Sequence, residues 1–159
     1  MRVLNVFLAS MILAFAVSAG AEDMNGFRGV SWGSNLEAIQ ESDPMLVEGH
    51  MGTMPGVKAF QRRDEELNYG GVKVEGIIYI FYKGRFTSVS IDFKGFDNYE
   101  KLITYCTKQF GPVTAAAVMR QEQYAGFDSQ KTGAMLLYQL SMQTANYGRL
   151  YLYSKEFLQ

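Results

Sequence analysis

The sequence has few of the residues that build disulfide frameworks, metal clusters and catalytic dyads. Its 159 residues include one cysteine and one histidine. Cys106 has no partner for an intrachain disulfide, and His50 alone excludes any site that needs two histidines. Nucleophile elbows, phosphate loops and paired-cysteine motifs are absent as well. These absences predict a protein that is not an enzyme and uses no cofactor.

Long apolar runs are also scarce, and the one exception stands at the start of the chain. A basic residue precedes an apolar stretch over residues 7–17, and small residues follow up to Ala21. A membrane span needs roughly 20 apolar residues, so this stretch is too short to be one. We expect residues 1–21 to be a signal peptide that is cut before Glu22, or alternatively before Gly20. No later stretch reaches the length of a span.

The charge balance of the exported chain excludes nucleic acid as a partner. Residues 22–159 keep 14 basic and 16 acidic side chains, a net charge of −2. Their length fits one domain, which buries enough surface to fold without disulfides. Small secreted eukaryotic domains usually carry disulfides. We therefore expect the periplasm of a bacterium, or secretion, as the location.

Two helix starts share the same chemistry. Ser34 is followed three residues later by Glu37, and Asp97 is followed by Glu100, so each pair has the spacing of a capping box. The second helix is predicted to end at Gly111, because glycine suits the left-handed position after a helix and proline follows it. Its apolar stripe is made of Tyr99, Leu102, Ile103, Cys106 and Phe110. We expect Cys106, on this stripe, to be a buried and inert thiol.

Extended segments follow both helices. Lys83–Gly84 separates two stretches rich in β-branched and aromatic residues, which predicts a hairpin. Val89, Ile91 and Phe93 alternate with polar residues, which predicts one dry and one wet face. The pattern predicts an α+β fold of two tandem units, at about residues 26–93 and 94–159. Each unit is a short helix followed by antiparallel strands, with the helices packed on one face of the sheet.

The order of these motifs resembles a family of uncharacterised exported bacterial proteins. The motifs run from Phe27 to Ser34, from Tyr82 to Phe86, and through the helix that ends at Gln109–Pro112. The helix-then-strands unit is similar to outer-membrane-assembly lipoproteins of the SmpA/OmlA (BamE) type, and two units in tandem look like β-lactamase inhibitor protein. Those relatives bind other proteins. This chain departs from the lipoproteins because it lacks their lipidated cysteine.

Two other segments invite a functional interpretation. Met45, Glu48, His50, Met51 and Met54 lie close together in the sequence, and thioethers and imidazole suit Cu(I). Methionines also serve as adaptable packing residues, so we assign no metal site and keep His50, Met51 and Met54 as an alternative. The aromatic segment Tyr79 to Phe86 fits a partner-binding sheet face or, more simply, a core strand.

The sequence thus favours a non-enzymatic periplasmic protein that binds another envelope or periplasmic protein through an exposed sheet face. A small-ligand or Cu(I)-binding module is the first alternative. An enzyme with an unrecognised site is the second.

Overall fold

The computed structural model describes residues 23–43, 46–49, 54–119, 122–139 and 146–157. The predicted signal peptide lies outside the described residues. Within the described ranges, two helices and twelve strands follow one another. They are β1 Gly26–Phe27, β2 Val30–Ser31, α1 Leu36–Ser42, β3 Leu46–Gly49, β4 Val57–Arg62, β5 Asn68–Tyr69, β6 Val72–Lys73, β7 Gly76–Tyr82, β8 Arg85–Lys94, α2 Phe96–Phe110, β9 Ala115–Met119, β10 Glu122–Asp128, β11 Thr132–Gln139 and β12 Tyr147–Ser154.

Eight of these strands form one antiparallel sheet. Its order is β3-β4-β7-β8-β12-β11-β10-β9, and β1–β2 and β5–β6 are separate two-stranded hairpins. The predicted hairpin at Lys83–Gly84 is confirmed, because Tyr82 pairs with Arg85 across it. Both turn residues have positive φ, 48° and 75°, as a two-residue hairpin turn requires. Within the described residues, no helix is long and apolar enough to cross a membrane.

Helix α2 packs on the sheet as its sequence predicts. Tyr99, Leu102, Cys106 and Phe110 are buried, and Ile103 is partly buried. The helix contacts β6, β8, β10 and β11. It ends at Phe110, and the predicted C-terminal glycine, Gly111, caps it with φ 99° and donates its backbone N–H to the Thr107 carbonyl oxygen.

Both predicted N-caps are shifted by the tertiary structure. Asn35, not Ser34, caps α1, and its side-chain oxygen accepts from the backbone N–H of Glu37 at 2.8 Å. The helix begins later because the Ser34 carbonyl oxygen accepts the backbone N–H of Phe86 from β8. Helix α2 begins earlier, at Phe96, with no side-chain cap, so Asp97 lies within its first turn.

The predicted α+β fold of two tandem helix-then-strand units is wrong. The chain is mostly β, and its main strands join in one sheet. The last strand, β12, pairs with β8 of the preceding half along seven residue pairs. The helices are also unequal, with 7 residues in α1 and 15 in α2. Capping boxes indicate where helices start. They do not indicate which strands pair with each other, and the pairing of strands determines the architecture.

The core lies on the α2 side of the sheet. Val89, Ile91 and Phe93 are fully buried there, as their alternation predicts. Trp32 is buried too, stacks on Phe86 at 4.9 Å between ring centroids, and donates its indole N–H to the Thr132 hydroxyl oxygen at 2.8 Å.

The alanine-rich strand β9 is not predicted from the sequence, because alanine has no preference for strands.

Candidate functional site

The candidate site is the side of the main sheet that faces away from α2, which we call the open face. Side chains alternate between the two faces of a strand. Since Leu150 and Leu152 of β12 are buried in the core, their neighbours along the strand lie on the open face. Four side chains of β12 do so, all of them half-buried: Tyr147, Arg149, Tyr151 and Tyr153.

The register of the sheet places apolar and polar side chains around these four. Three rows cross β7, β8, β12 and β11 on the open face. The rows are Gly76–Asp92–Arg149–Leu137, Ile78–Ser90–Tyr151–Met135 and Ile80–Ser88–Tyr153–Gly133. The buried aromatic residues of α2, of β1 and of β5 belong to the core on the other side. Among the described residues, the open face is therefore covered by no helix or small hairpin.

An ion pair holds the middle of this surface. The Arg149 Nε donates to Asp92 Oδ1 at 2.5 Å, and a second guanidinium nitrogen donates to Oδ2 at 3.1 Å. The third nitrogen donates to the Tyr151 hydroxyl oxygen at 3.2 Å. The Asp92 side chain is 14% exposed and that of Arg149 is 37% exposed. A bidentate pair of this kind fixes the guanidinium plane, and the tyrosine beside it, in one orientation.

Two tyrosines of β12, Tyr147 and Tyr153, are held in their neutral form. Burial, together with the hydrogen bond to Asp92, raises the pKa of Tyr147 to about 12. Burial and the nearby Asp128 carboxylate raise the pKa of Tyr153. The hydrogen bond that Arg149 donates to Asp92 raises the pKa of Arg149, despite partial burial. At neutral pH these two phenols are therefore uncharged, and they share the strand with the guanidinium of Arg149, whose charge Asp92 balances.

Tyr153 lies flat across the neighbouring strand because Gly133 has no side chain. A Cβ atom on Gly133 would lie 2.2 Å from the Tyr153 ring, far inside van der Waals contact. The sequence-based expectation of a wet face on β8 is wrong at Ser90. Ser90, predicted to be on a wet face, is 1% exposed, because it lies between Ile78 and Tyr151 in its row. The open face is thus a packed aromatic surface.

A depression of about 390 Å³ marks one end of the open face. It is lined by Leu137, Gln139, Tyr147, Gly148, Arg149 and Tyr151. This volume is near the lower end for small-ligand sites and suits a single protruding side chain. The lining contains apolar, amide and phenol groups as well as the guanidinium of Arg149. Such a mixture is typical of protein–protein interfaces.

A second depression, of about 570 Å³, lies beside α1 and includes Arg28 and Arg62 in its lining. Both guanidinium groups have carboxylate partners. Arg28 pairs with Glu65, and Arg62 donates to Asp43 at 2.7 Å. The buried Tyr79 hydroxyl donates to Glu65 at 2.8 Å and joins the two pairs. Since two positive and two negative charges balance, this cluster ties the small hairpins to the sheet and offers no anion site.

The predicted copper alternative falls largely outside the described residues. His50 and Met51 lie there, while Met54 is described and is 66% exposed. The described part of the chain contains no group of three or more histidine, cysteine or acidic residues that could hold a metal ion. Cys106 is fully buried, as predicted, and desolvation raises its pKa to about 12; that the thiol is inert stays a prediction.

The open face was not located from the sequence. The aromatic segment Tyr79 to Phe86 is a core strand pair, since Tyr79, Phe81 and Phe86 are at most 1% exposed. The sequence pattern that indicates this face lies in β12, where aromatic or basic residues alternate with glycine or leucine from Tyr147 to Tyr153. Asp92 could not be connected to Arg149 from the sequence, because 57 positions separate them.

Comparisons of the chain with protein-family models, with curated proteins and with solved structures find no match. The resemblance inferred from the turn and cap motifs therefore stays a prediction. The chemistry of the open face is therefore the basis for proposing a function.

Proposed function

We propose that the chain is a non-enzymatic periplasmic protein that binds another periplasmic or envelope protein through its open face. The observation that carries this proposal is the arrangement of β12. It places Tyr147, Arg149, Tyr151 and Tyr153 side by side on the open face. Tyrosine and arginine are enriched among the residues that dominate binding energy at protein interfaces.

The rigidity of this surface favours binding of a protein. Tyrosine has two side-chain torsions and loses little conformational entropy when it is buried. Arg149 is already held by Asp92 and Tyr151, so it needs no reordering when a partner covers it. Because Asp92 balances the charge of Arg149, a partner that covers this arginine does not desolvate an unpaired charge, which would oppose association. Binding through this face needs no catalytic group.

The test compares capture of partners by matched variants. The folded chain and its Tyr151→Ser and Arg149→Met variants would be cross-linked to proteins of the native envelope. Arg63→Met is the control, because Arg63 is exposed and lies outside the open face. We expect one envelope protein to be captured by the parent and the control, and at least tenfold less by the two open-face variants. Equal capture by all four chains would contradict the proposal.

The location has its own test. Mass spectrometry of the protein recovered from the periplasm should give an N-terminus at Glu22, or at Gly20 for the alternative cut. Material that keeps Met1 and remains in the membrane would overturn the periplasmic location without bearing on the open face.

A further inference from the structure

The second surface of interest is β9, an edge strand of the main sheet. Its neighbour on one side is β10, and no described strand pairs with its other side. Ala115, Ala116, Ala117 and Val118 are all exposed, and Val118 is 75% exposed. An edge strand with nothing beside it presents a row of backbone N–H and C=O groups, which only another extended chain can pair along its length.

This edge lacks the usual protection against pairing. Folded proteins normally place charges, prolines or bulges on an exposed edge. No charged residue occurs from Phe110 to Met119, and the only proline there, Pro112, precedes the strand. The opposite edge, β3, has four residues and carries the exposed carboxylate of Glu48. The two edges of the same sheet therefore differ in the feature that blocks self-association.

We propose that two copies of this chain pair through β9, antiparallel about a two-fold axis. A strand without charge meets its own copy with no like-charge contact, and the exposed Val118 side chains become covered. Identical edges give a closed, isologous contact, so assembly stops at the dimer. Because each sheet contributes eight strands, the pair forms one continuous sheet of twice that number.

The topology leaves room for this pairing. Antiparallel strands related by a two-fold axis lie in one sheet with the axis normal to it, so both open faces lie on the same side. Both α2 helices then lie on the other side, where each packs on β8, β10 and β11 of its own copy. The dimer thus presents two binding faces in one direction, which raises the avidity for a partner with repeated sites. The dimer itself does not depend on the open face binding anything.

The contact is expected to be reversible. Five paired residues extend over ~17 Å, which is short compared with the edge of a stable interface. Interfaces below ~1,200 Å² are typical of weak or transient complexes. We therefore expect dissociation in the micromolar range or weaker, so dimers form at high local concentration.

Sedimentation of the purified chain over a wide concentration range tests the proposal. We expect the mass to rise from monomer to dimer, and Val118→Lys to weaken dimerisation at least tenfold. Val118→Thr is the matched control, because it keeps a β-branched, uncharged side chain, and it should dimerise like the parent. A parent that stays monomeric up to about 1 mM, or a dimer indifferent to Val118→Lys, overturns the proposal.

Cysteine pairing supplies a second measurement that does not depend on affinity. A residue near the two-fold axis lies opposite its own copy, so Ala116→Cys or Ala117→Cys should form an intermolecular disulfide on mild oxidation. The native Cys106 is buried and does not interfere. Glu48→Cys, at the opposite edge, is the control and should stay monomeric. If neither β9 cysteine cross-links, or the control cross-links equally, the proposed contact is wrong. The Val118→Lys variant should still capture the partner of the open face, so the two proposals fail separately.

Discussion

Arg149 and Asp92 lie directly opposite each other on β12 and β8 and are joined by two hydrogen bonds. This pair links the last strand of the chain to a strand of its first half. It also orients Tyr151, whose hydroxyl oxygen accepts from the same guanidinium. Sheet pairing and the candidate site therefore depend on the same two side chains.

Removing one member of this pair should be more harmful than removing both. Arg149→Met leaves the mostly buried Asp92 carboxylate without a positively charged partner, and we expect the free energy of unfolding to fall by about 2 kcal/mol. The double variant Asp92→Asn with Arg149→Met should lose less than Arg149→Met alone, and therefore less than the sum of the single changes. Urea unfolding of all three, with Arg63→Met expected within about 0.5 kcal/mol of the parent, checks this. Additive losses would mean that the two side chains are not coupled.

The packing of α2 gives a second prediction. Phe110 is 3% exposed and closes the end of the apolar stripe, so Phe110→Ala should reduce the free energy of unfolding by about 3–5 kcal/mol through a core cavity. Lys101→Ala and Lys108→Ala are the controls, since both side chains are exposed, and should change it by less than about 0.5 kcal/mol. A neutral Phe110→Ala in urea unfolding would be inconsistent with the packing of α2.

Helix caps give a third prediction, in which structure and sequence pattern disagree. Asn35→Ala should reduce the free energy of unfolding by about 1 kcal/mol, because it removes the acceptor for the Glu37 backbone N–H. Ser34→Ala, at the cap expected from the sequence, should have a smaller effect. Asp97→Ala should lose only about 0.3–1 kcal/mol, since Asp97 acts through the dipole of the first turn. A larger loss at Ser34 than at Asn35 would restore the cap expected from the sequence.

Alkaline pH gives a fourth prediction. Burial raises the pKa of Cys106 from 9.0 to about 12, so the folded state favours the protonated thiol. The stability that this preference contributes is complete below pH 9 and is lost as the pH rises towards 12. Tyr147 acts in the same direction between pH 10 and about 12. Urea unfolding midpoints measured from pH 8 to pH 11 should fall, and they should fall less in Cys106→Ala relative to its own value at pH 8.

Thiol labelling provides an independent check on the same residue. Because Cys106 is fully buried, a thiol reagent should react with the native protein only as fast as the protein opens. The label should enter at once in denaturing urea. Immediate labelling of the folded chain would contradict both the burial of Cys106 and the alkaline prediction.

Local features of this fold follow from the sequence. The α2 stripe, its end at Gly111, the hairpin at Lys83–Gly84 and the burial of Cys106 depend on residues near each other in the chain. Helical periodicity, a glycine after a helix and a two-residue turn act over a few positions. These features can therefore be predicted from a single sequence.

The tertiary structure decided the architecture and the candidate site. The sequence determined that β12 alternates between two kinds of side chain, but only its pairing with β8 decided that one continuous sheet replaces two tandem units. That pairing brings Arg149 to Asp92 across 57 positions and leaves the tyrosines of β12 on the open face. Strand pairing at such separation depends on which apolar surfaces are buried together, a property of the whole chain rather than of any segment. The exposed edge at β9 has the same origin, because a strand becomes an edge only when the order of all eight strands is set.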